Sequence, residues 1–285
     1  SDIISMPQGG SKVISTCTSS TPGVASTASC TQPGISPATG QPGAVSVITI
    51  RTAGTRVTFI PAKLPSSVLR KALEDTESVR LESMRHAQQM TWKAIEQIAR
   101  AIVPGMLESE AVALGKRVLG ELGMDRIWHP LLIRFGANTL KTFKQRSEGD
   151  PVLGTDDIFF IDMGVVWQGH EGDAGQTFTT GNDPHMIACA EAARELFRRV
   201  ERQWREERVD GVALYRYAHE QAEAMGWSLN LDIKGHRVSD FPHAIHRGGD
   251  LGDFGQYPNT GLWILEIQIV HPQLPYGAFY EDLLI

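Results

Sequence analysis

Four carboxylates in two apolar, strand-prone segments are the residues whose types and spacing could support chemistry. Asp162 and Asp173 lie on either side of the turn-like residues 166–169, and Glu266 and Glu281 lie on either side of the turn-like residues 271–277. If each segment folds back as an antiparallel hairpin, its two acids face each other with Cβ atoms roughly 4.5–5.5 Å apart. Like charges at that distance are costly unless a cation lies between them. The spacing therefore predicts a metal site.

The donor set indicates which ions the site would hold. Four carboxylates carry the charge that two divalent ions would neutralise, and His236, in IKGHRVSDFPH, is the nearest candidate for an imidazole ligand. Oxygen-rich ligation with one nitrogen suits Mn²⁺, Fe²⁺ or Co²⁺, with Zn²⁺ as a further option. Two such ions about 3.5–4 Å apart can hold a bridging hydroxide and polarise a carbonyl. The expected chemistry is therefore metal-assisted hydrolysis.

A purely structural role for the four acids is the alternative. An acid in an apolar strand more often pairs with an arginine or a backbone donor than with a metal, because a buried charge needs a partner. Arg134 and Lys141 could pair with some of the four acids, but not with all of them. Two acid pairs of similar layout therefore favour metal binding.

The acids need strands to position them, and the flanking sequence predicts both strands and helices. Apolar runs predict strands at 125–135, 157–167 and 176–180, and again at the end of the chain. Helical periodicity predicts four helices, the first of which ends at the Pro104-Gly105 pair. These helices are expected over roughly 75–103, 109–122, 184–208 and 210–225.

The first 64 residues differ in composition from the rest of the chain. Residues 1–45 are dominated by Ser, Thr, Gly and Pro, and we expect them to be disordered or loosely draped. Residues 46–62 alternate apolar side chains around Ala53-Gly54, which predicts a β hairpin, an arm that could reach a partner subunit. We therefore predict a low-complexity tail with a β arm over 1–64 and one catalytic domain over 65–285.

Composition and charge exclude several classes of function. The net charge of −6 argues against nucleic acid as the main partner, since nucleic-acid binding usually needs a basic surface. No apolar run is long enough to cross a bilayer, and the first residues do not read as a secretory signal. Three cysteines are too few, and odd in number, for a disulfide framework. We therefore expect a cytoplasmic protein without a membrane partner.

The segment from about Ser78 to Ile285 resembles the pita-bread metallopeptidases, which include methionine aminopeptidase, aminopeptidase P and prolidase. The motifs that carry the resemblance are FIDMG, GDAGQTF, GHRVSDFPH, LEIQIV and FYEDLL. The resemblance implies an α+β pita-bread fold, with a curved antiparallel β-sheet and helices on its outer face, and a homodimer. It also implies five metal ligands, which follow the family's order in the chain: Asp162, Asp173, His236, Glu266 and Glu281.

The same resemblance implies roles for two residues in the reaction. His243 falls where the family keeps a histidine that contacts the substrate, so it would donate a hydrogen bond to the negative charge that develops on the carbonyl oxygen. A structural histidine beside Pro242 is the alternative for this position. Glu266 would act as proton shuttle as well as ligand, accepting a proton from the metal-bound water and passing it to the leaving amine.

Several departures from the family pattern bear on the substrate. GHRVS replaces a glycine-rich motif around His236, and LEIQ replaces the usual context of Glu266. The histidine that many members keep upstream of the first aspartate would align here with Lys141 or Phe143. His129 is the nearest upstream histidine, and the sequence leaves open whether it reaches the site.

We therefore expect a dinuclear metal-dependent hydrolase of the aminopeptidase or Xaa-Pro peptidase class. It would remove N-terminal residues from short peptides through a metal-bridging hydroxide, with Mn²⁺ or Co²⁺ as the first choice of ion. One alternative is hydrolysis of a small non-peptide amide or ester, which the missing upstream histidine motivates. Another is a pita-bread protein that binds a peptide or protein without turnover.

Overall fold

A computed structural model describes residues 66–242 and 249–285, together with four short strands that precede them. The strands β1 to β4 are Ser15–Ser19, Ser29–Thr31, Val45–Thr52 and Arg56–Pro61. They form an antiparallel sheet in the order β2-β1-β3-β4, in which β3 and β4 are hairpin partners. Most of the tail predicted over 1–45 lies outside the described residues. The chain divides into two compact units, Ser1–Arg80 and Leu81–Ile285.

Four helices are described after these strands, close to the four that were predicted. Helix α1 begins at Ser66, earlier than expected, and residues 73–79 are exposed, so this part of the helix has no buried apolar face to give a periodic signal. None of the helices in the described part of the chain combines the length and hydrophobicity needed to cross a membrane. The helices α1 to α4 span Ser66–Ala101, Glu108–Glu121, Pro184–Glu207 and Gly211–Ala224.

A seven-stranded antiparallel sheet forms the centre of the second unit. Its strand order is β5-β6-β7-β11-β10-β8, and the short strand β9 also pairs with β10. The predicted combination of helices with an antiparallel sheet is confirmed. The strands β5 to β11 span Arg126–Phe135, Asp157–Trp167, His170–Thr180, Ser228–Leu229, His236–Arg237, Trp263–Val270 and Gly277–Leu283.

The predicted strand over 176–180 was too short. Strand β7 begins at His170, immediately after the turn, and continues to Thr180. Its first half, HEGDAG, has little apolar character. Apolar alternation is the signal for a strand in sequence, and it is lost where a strand carries polar groups and glycines into a functional site.

One face of the sheet packs against the helices. The β6 residue Ile161 lies in a core with Ile98 of α1 and Leu119 of α2, and all three are fully buried. A second core joins Leu196 of α3 to Leu265 of β10. Each such side chain contributes roughly 1.5–3 kcal/mol when it is removed from water. Because strand residues alternate between faces, the neighbours of these residues point to the opposite side of the sheet.

Local signals set the ends of helix α3, which covers β10 and β11. The Asp183 side chain accepts hydrogen bonds from the backbone N–H groups of His185 (2.8 Å) and Met186 (3.1 Å), and Pro184 occupies the first turn. These are favoured residues for a helix start. The helix ends at Glu207, and the next residue, Arg208, has a left-handed φ of 51°. A left-handed residue cannot continue a right-handed helix.

Helix α1 lies close against strand β7 at Gly172. A Cβ atom at this position would lie 2.3 Å from Thr91 Oγ1 and 2.6 Å from the backbone oxygen of Ala87. Backbone atoms of a helix cannot move aside singly, so only glycine allows the helix and strand to approach this closely.

Gly172→Ala should lower the free energy of unfolding by about 1–3 kcal/mol, because the added methyl group overpacks the contact between α1 and β7. Chemical denaturation followed by tryptophan fluorescence measures this change. Gly120→Ala is the matched control, since nothing lies within 4 Å of a Cβ at Gly120 in α2. The control should be neutral or stabilising by up to about 1 kcal/mol. Equal effects of the two substitutions would contradict the close packing.

Candidate metal centre

Three of the four predicted carboxylates form one row across four adjacent strands. Asp162 of β6 pairs with Gly175 of β7, Gly175 pairs with Glu281 of β11, and Glu281 pairs with Glu266 of β10. Directly paired residues point to the same face of an antiparallel sheet. This carboxylate row (Asp162, Glu281 and Glu266) therefore lies on the face opposite the helices.

A second row lies two residues further along the strands, on the same face. In it, His129 of β5 pairs with Gly164 of β6, and Gly164 pairs with Asp173 of β7. At the other side of the sheet, His236 of β9 pairs with Ile264 of β10. We call His129, Asp173 and His236 the imidazole row. The structure thus brings the five residues predicted as metal ligands into one cluster and places His129 beside them.

The two acid pairs differ in register, and the prediction for one of them was wrong. Glu266 and Glu281 are directly opposed, as predicted. Asp162 and Asp173 are not: each faces a glycine, and the two acids are diagonal neighbours. The reason is the turn, which consists only of Gln168 and Gly169, with φ angles of 51° and 79°. Two-residue hairpin turns favour such positive φ values, and the turn sets the register of the strands.

Asp173 stands between the two imidazoles. His129 Nε2 lies 2.8 Å from Asp173 Oδ1, and His236 Nε2 lies 2.9 Å from Asp173 Oδ2. His129 Nε2 also lies 3.7 Å from Asp162 Oδ1, which ties the two rows together. The sequence left the reach of His129 open, and the structure places it in the site. The available signal was a histidine in a strand that precedes FIDMG, but strand pairing alone decides which residue it faces.

Three further positions were singled out in the sequence: His243, Lys141 and Phe143. His243 falls within 243–248, outside the described residues. Lys141 forms an ion pair with Glu148, and the Phe143 side chain is exposed. Among the contacts of the described residues, neither of these two residues touches the carboxylate row or Asp173. The upstream histidine of the family pattern thus has no imidazole in its place here.

Two buried side chains from the helices form hydrogen bonds with the backbone of two predicted ligands. Gln88 of α1 accepts a hydrogen bond from the Asp173 N–H (2.9 Å) and donates one to the Asp173 carbonyl oxygen. The Tyr215 hydroxyl of α4 donates to the Glu266 carbonyl oxygen (2.8 Å) and accepts from the Glu266 N–H (3.1 Å). No sequence motif marked either residue. Each links the helical layer to one side of the site.

The Glu266 side chain also accepts a hydrogen bond. The N–H of Gly235 donates a hydrogen bond of 2.9 Å to Glu266 Oε2. Gly235 has a φ of 68°, and a Cβ there would lie 2.3 Å from the backbone oxygen of Ile264. A glycine is therefore required just before His236, and its N–H orients the Glu266 carboxylate.

Burial changes the acidity of the carboxyl groups in the site. Burial raises the pKa of Glu281 well above its usual value, and the charges of Asp173 and Asp162 raise it further. Burial likewise raises the pKa of Asp162 to about 6, although His129 acts in the opposite direction. Burial would also raise the pKa of Asp173, but the two imidazoles hold it below its usual range. Without a cation, the carboxylates repel each other and only Asp173 is well compensated.

The donor atoms fit divalent cations. One group of donors consists of His129, Asp162, Asp173 and Glu281, and a second consists of His236, Glu266 and Glu281. Within each group the candidate ligand atoms lie within 4.8 Å of one another. Asp162 Oδ1 and Glu281 Oε1 are buried and accept no hydrogen bond from the described residues. Buried polar atoms are rarely left without a partner, so these oxygens point to cations as their missing partners.

An apolar cluster adjoins the carboxylate row. Leu132 pairs directly with Asp162. Phe160 and Phe279 lie two residues along their strands from Asp162 and Glu281, on the same face. The two rings are 5.4 Å apart, and Ile233 packs with them. The polar centre therefore has an apolar wall on one side.

Comparisons with known proteins agree with this geometry. A family model described as metallopeptidase family M24 matches residues 82–281. A search of curated proteins found no match to the chain. Among solved structures, the chain is similar to an X-Pro aminopeptidase from Thermotoga maritima, with a TM-score of 0.59 and 17% sequence identity over 72% of this chain and 57% of that one.

Two further structures extend the comparison. A dipeptidase from Pyrococcus horikoshii has a TM-score of 0.59 and 21% identity, over 71% of this chain and 56% of that one. A methionine aminopeptidase from Thermotoga maritima has a TM-score of 0.53 and 17% identity, over 72% of this chain and 90% of that one. The chain thus spans just over half the length of the first two structures. At these identities the likeness concerns the fold, and the predicted pita-bread fold is confirmed.

Removal of divalent ions should lower the melting temperature, and their return should restore it, because the cations offset the repulsion among buried carboxylates. Saturation at 100 times the dissociation constant corresponds to about 2.7 kcal/mol. Differential scanning fluorimetry with and without a chelator measures the effect.

Glu281→Gln should remove most of this metal-dependent shift while leaving the metal-free protein at least as stable as the wild type, because it removes the carboxylate that both donor groups share. Glu223→Gln, on the exposed side of α4, is the control. A variant Glu281→Gln that keeps the full shift would contradict the role of the shared carboxylate.

Gln88→Leu should weaken divalent-metal binding by about 10-fold or more, since supporting hydrogen bonds of this kind typically contribute that much to metal affinity. Gln89→Leu is a matched control, because Gln89 is the exposed neighbour on the same helix. Isothermal titration calorimetry gives both affinities. Equal affinities in the two variants would show that the contact from α1 does not position Asp173.

Proposed function

The chain belongs to metallopeptidase family M24, and we propose that it is a dinuclear metal-dependent aminopeptidase or dipeptidase that acts on the N-terminal residues of short peptides. The observation that carries the proposal is the carboxylate row with Asp173 and His236 beside it. In this proposal the ligands of the two ions are Asp162, Asp173, His236, Glu266 and Glu281.

Two ions require two adjacent positions, and the donors support such an arrangement. Glu281 is common to both donor groups. Asp173 presents Oδ1 toward His129 and Oδ2 toward His236, so its two oxygens point to opposite sides. A shared carboxylate is a means of holding two divalent ions about 3.5–4 Å apart. When bound, the ions would polarise a carbonyl and lower the pKa of a bound water.

The chain's own groups would orient the substrate and move the proton. The Gly235 N–H and Tyr215 hydroxyl fix Glu266 by its side chain and backbone, so its carboxylate can accept a proton from water and return it to the leaving amine. His243 would donate a hydrogen bond to the carbonyl oxygen as negative charge develops there. The apolar wall of Leu132, Phe160, Ile233 and Phe279 would exclude water and accept an apolar substrate side chain.

The substrate, the metal, the oligomeric state and the location proposed for the protein each have their own support. Peptide substrates, including Xaa-Pro peptides, are supported by the similar structures, which are those of an X-Pro aminopeptidase and a dipeptidase. Mn²⁺ or Co²⁺ follows from the oxygen-rich donor set. A homodimer follows from the family resemblance, and a cytoplasmic location from the small number of cysteines.

One observation favours a second candidate, the hydrolysis of a small non-peptide amide or ester. The family's upstream histidine is replaced near Lys141 and Phe143, of which the first is paired with Glu148 and the second is exposed. A substrate without a peptide's extended backbone would not need that contact. The metal centre and the proton transfers would be the same in both cases.

Protein loaded with Mn²⁺ or Co²⁺ should release free amino acids from a panel of dipeptides, Xaa-Pro peptides and Met-Xaa peptides. Asp173→Asn should lower kcat/KM by at least about 100-fold, because it replaces a central charged ligand and even supporting residues of metal sites contribute up to that factor. Amino-acid release measured by mass spectrometry tests both statements. Asp75→Asn, an exposed position on α1, is the control.

Two results would overturn the proposal. If the loaded protein cleaves no member of the panel but hydrolyses small amides or esters, the second candidate replaces the first. If Asp173→Asn keeps the turnover of the control variant, the assignment of Asp173 as a ligand is wrong.

A further inference from the structure

Strand β5 departs from regular pairing at His129. The pairing of β5 with β6 shifts register between Ile127 and His129 and again between His129 and Leu132. Bulges of this kind re-aim a side chain, and they are common beside active sites. Pro130 follows directly and cannot donate a ladder hydrogen bond. The local irregularity therefore directs one imidazole onto the face that carries the carboxylates.

The space that the imidazole occupies exists because residue 164 is glycine. A Cβ atom at Gly164 would lie 2.1 Å from His129 Cδ2 and 2.6 Å from His129 Nε2. Any larger residue on β6 at this point would displace the ring from Asp173. Gly164, two residues after Asp162 on the same strand, thus leaves space that the His129 side chain fills.

The two imidazoles of the site are held in the same way. His129 Nδ1 lies 3.1 Å from the carbonyl oxygen of Pro130, and His236 Nδ1 lies 3.2 Å from that of Arg237. A carbonyl oxygen only accepts, so Nδ1 carries the proton and Nε2 is the atom that points to the acids. Metal-binding histidines are typically oriented by such a contact on the second nitrogen.

Trp128 supports both rings from one side. Its ring centroid lies 4.6 Å from that of His129 and 5.6 Å from that of His236, and both contacts are edge-on. The Nε2 atoms of the two histidines approach opposite oxygens of one carboxylate, Asp173. His129 and His236 therefore lie on opposite sides of Asp173. Each ring points Nε2 toward this carboxylate, and each contacts Trp128.

We propose that His129 is a sixth ligand of the metal centre, which gives each of the two ions its own imidazole and shifts the preference of the site toward Zn²⁺ or Co²⁺ and away from Mn²⁺. The inference deepens the proposed function, because it requires the carboxylates to hold ions. His129, Asp162, Asp173 and Glu281 supply four donors at one position, the usual coordination number of zinc. Imidazole nitrogen favours zinc over manganese, which prefers oxygen donors.

The first test compares metal affinities of the wild type, His129→Gln and His86→Gln by competition titration with Zn²⁺, Co²⁺ and Mn²⁺. Glutamine keeps an N–H donor for Asp173 but is a poor zinc ligand, and His86 is an exposed residue of α1. His129→Gln should lose at least about 10-fold in Zn²⁺ affinity at one of two positions, with a smaller loss for Mn²⁺. The His86→Gln variant should match the wild type.

The second test needs no variant. X-ray absorption at the zinc edge of fully loaded wild-type protein should show on average one imidazole per zinc ion. One imidazole for every two zinc ions would overturn the inference and leave His129 as a hydrogen-bond donor to Asp173.

The outcomes separate the inference from the proposed function. Two ions bound with unchanged selectivity in His129→Gln would overturn the role of His129 alone. A wild-type protein that binds no divalent ion would overturn the metal centre and, with it, this inference.

Discussion

Electrostatic repulsion among buried carboxylates is the constraint on which the rest of this structure depends. Asp162, Asp173 and Glu281 are each less than a tenth exposed, and they share one face of a sheet with Glu266. Carboxylates this close and this buried cannot all be ionised unless positive charge lies among them. The raised pKa values of Asp162 and Glu281 express that cost. Divalent cations in the site would remove it.

The scaffold holds the acids in place despite their repulsion. Strand pairing sets their spacing, and two side chains from opposite helical cores, Gln88 and Tyr215, bind the backbone at Asp173 and Glu266. Gly172 lets α1 come close enough to β7 for the contact of Gln88 with Asp173. A catalytic centre needs such rigid support, because small displacements of ligands weaken both metal binding and turnover. The helical layer is thus part of the functional site although it supplies none of the proposed ligands.

This member of metallopeptidase family M24 combines the cluster of acids and imidazoles with features of its own. The apolar wall of Phe160 and Phe279 adjoins the acids, and His129 adds an imidazole that the shared motifs do not include. At the same time, the position of the family's upstream histidine is filled by Lys141 or Phe143. Relative to the family motifs, this chain therefore has one imidazole more beside the carboxylates, at His129, and one imidazole fewer at the upstream position.

The sequence by itself determined the helices, most strands and the identity of the acids, because these follow from local patterns of apolar and charged residues. It also placed Glu266 opposite Glu281, since their hairpin is nearly symmetric about its turn. Only the tertiary structure decided that Asp162 and Asp173 are diagonal, because a two-residue turn sets their register. It likewise decided that Gly175 pairs with Glu281 and so joins the two hairpins. The hydrogen bonds of Gln88 and Tyr215 to the backbone of Asp173 and Glu266, and the contact of His129 with Asp173, also depend on the tertiary structure. Those contacts join residues far apart in the chain, and strand order and bulges, which local patterns do not encode, bring them together.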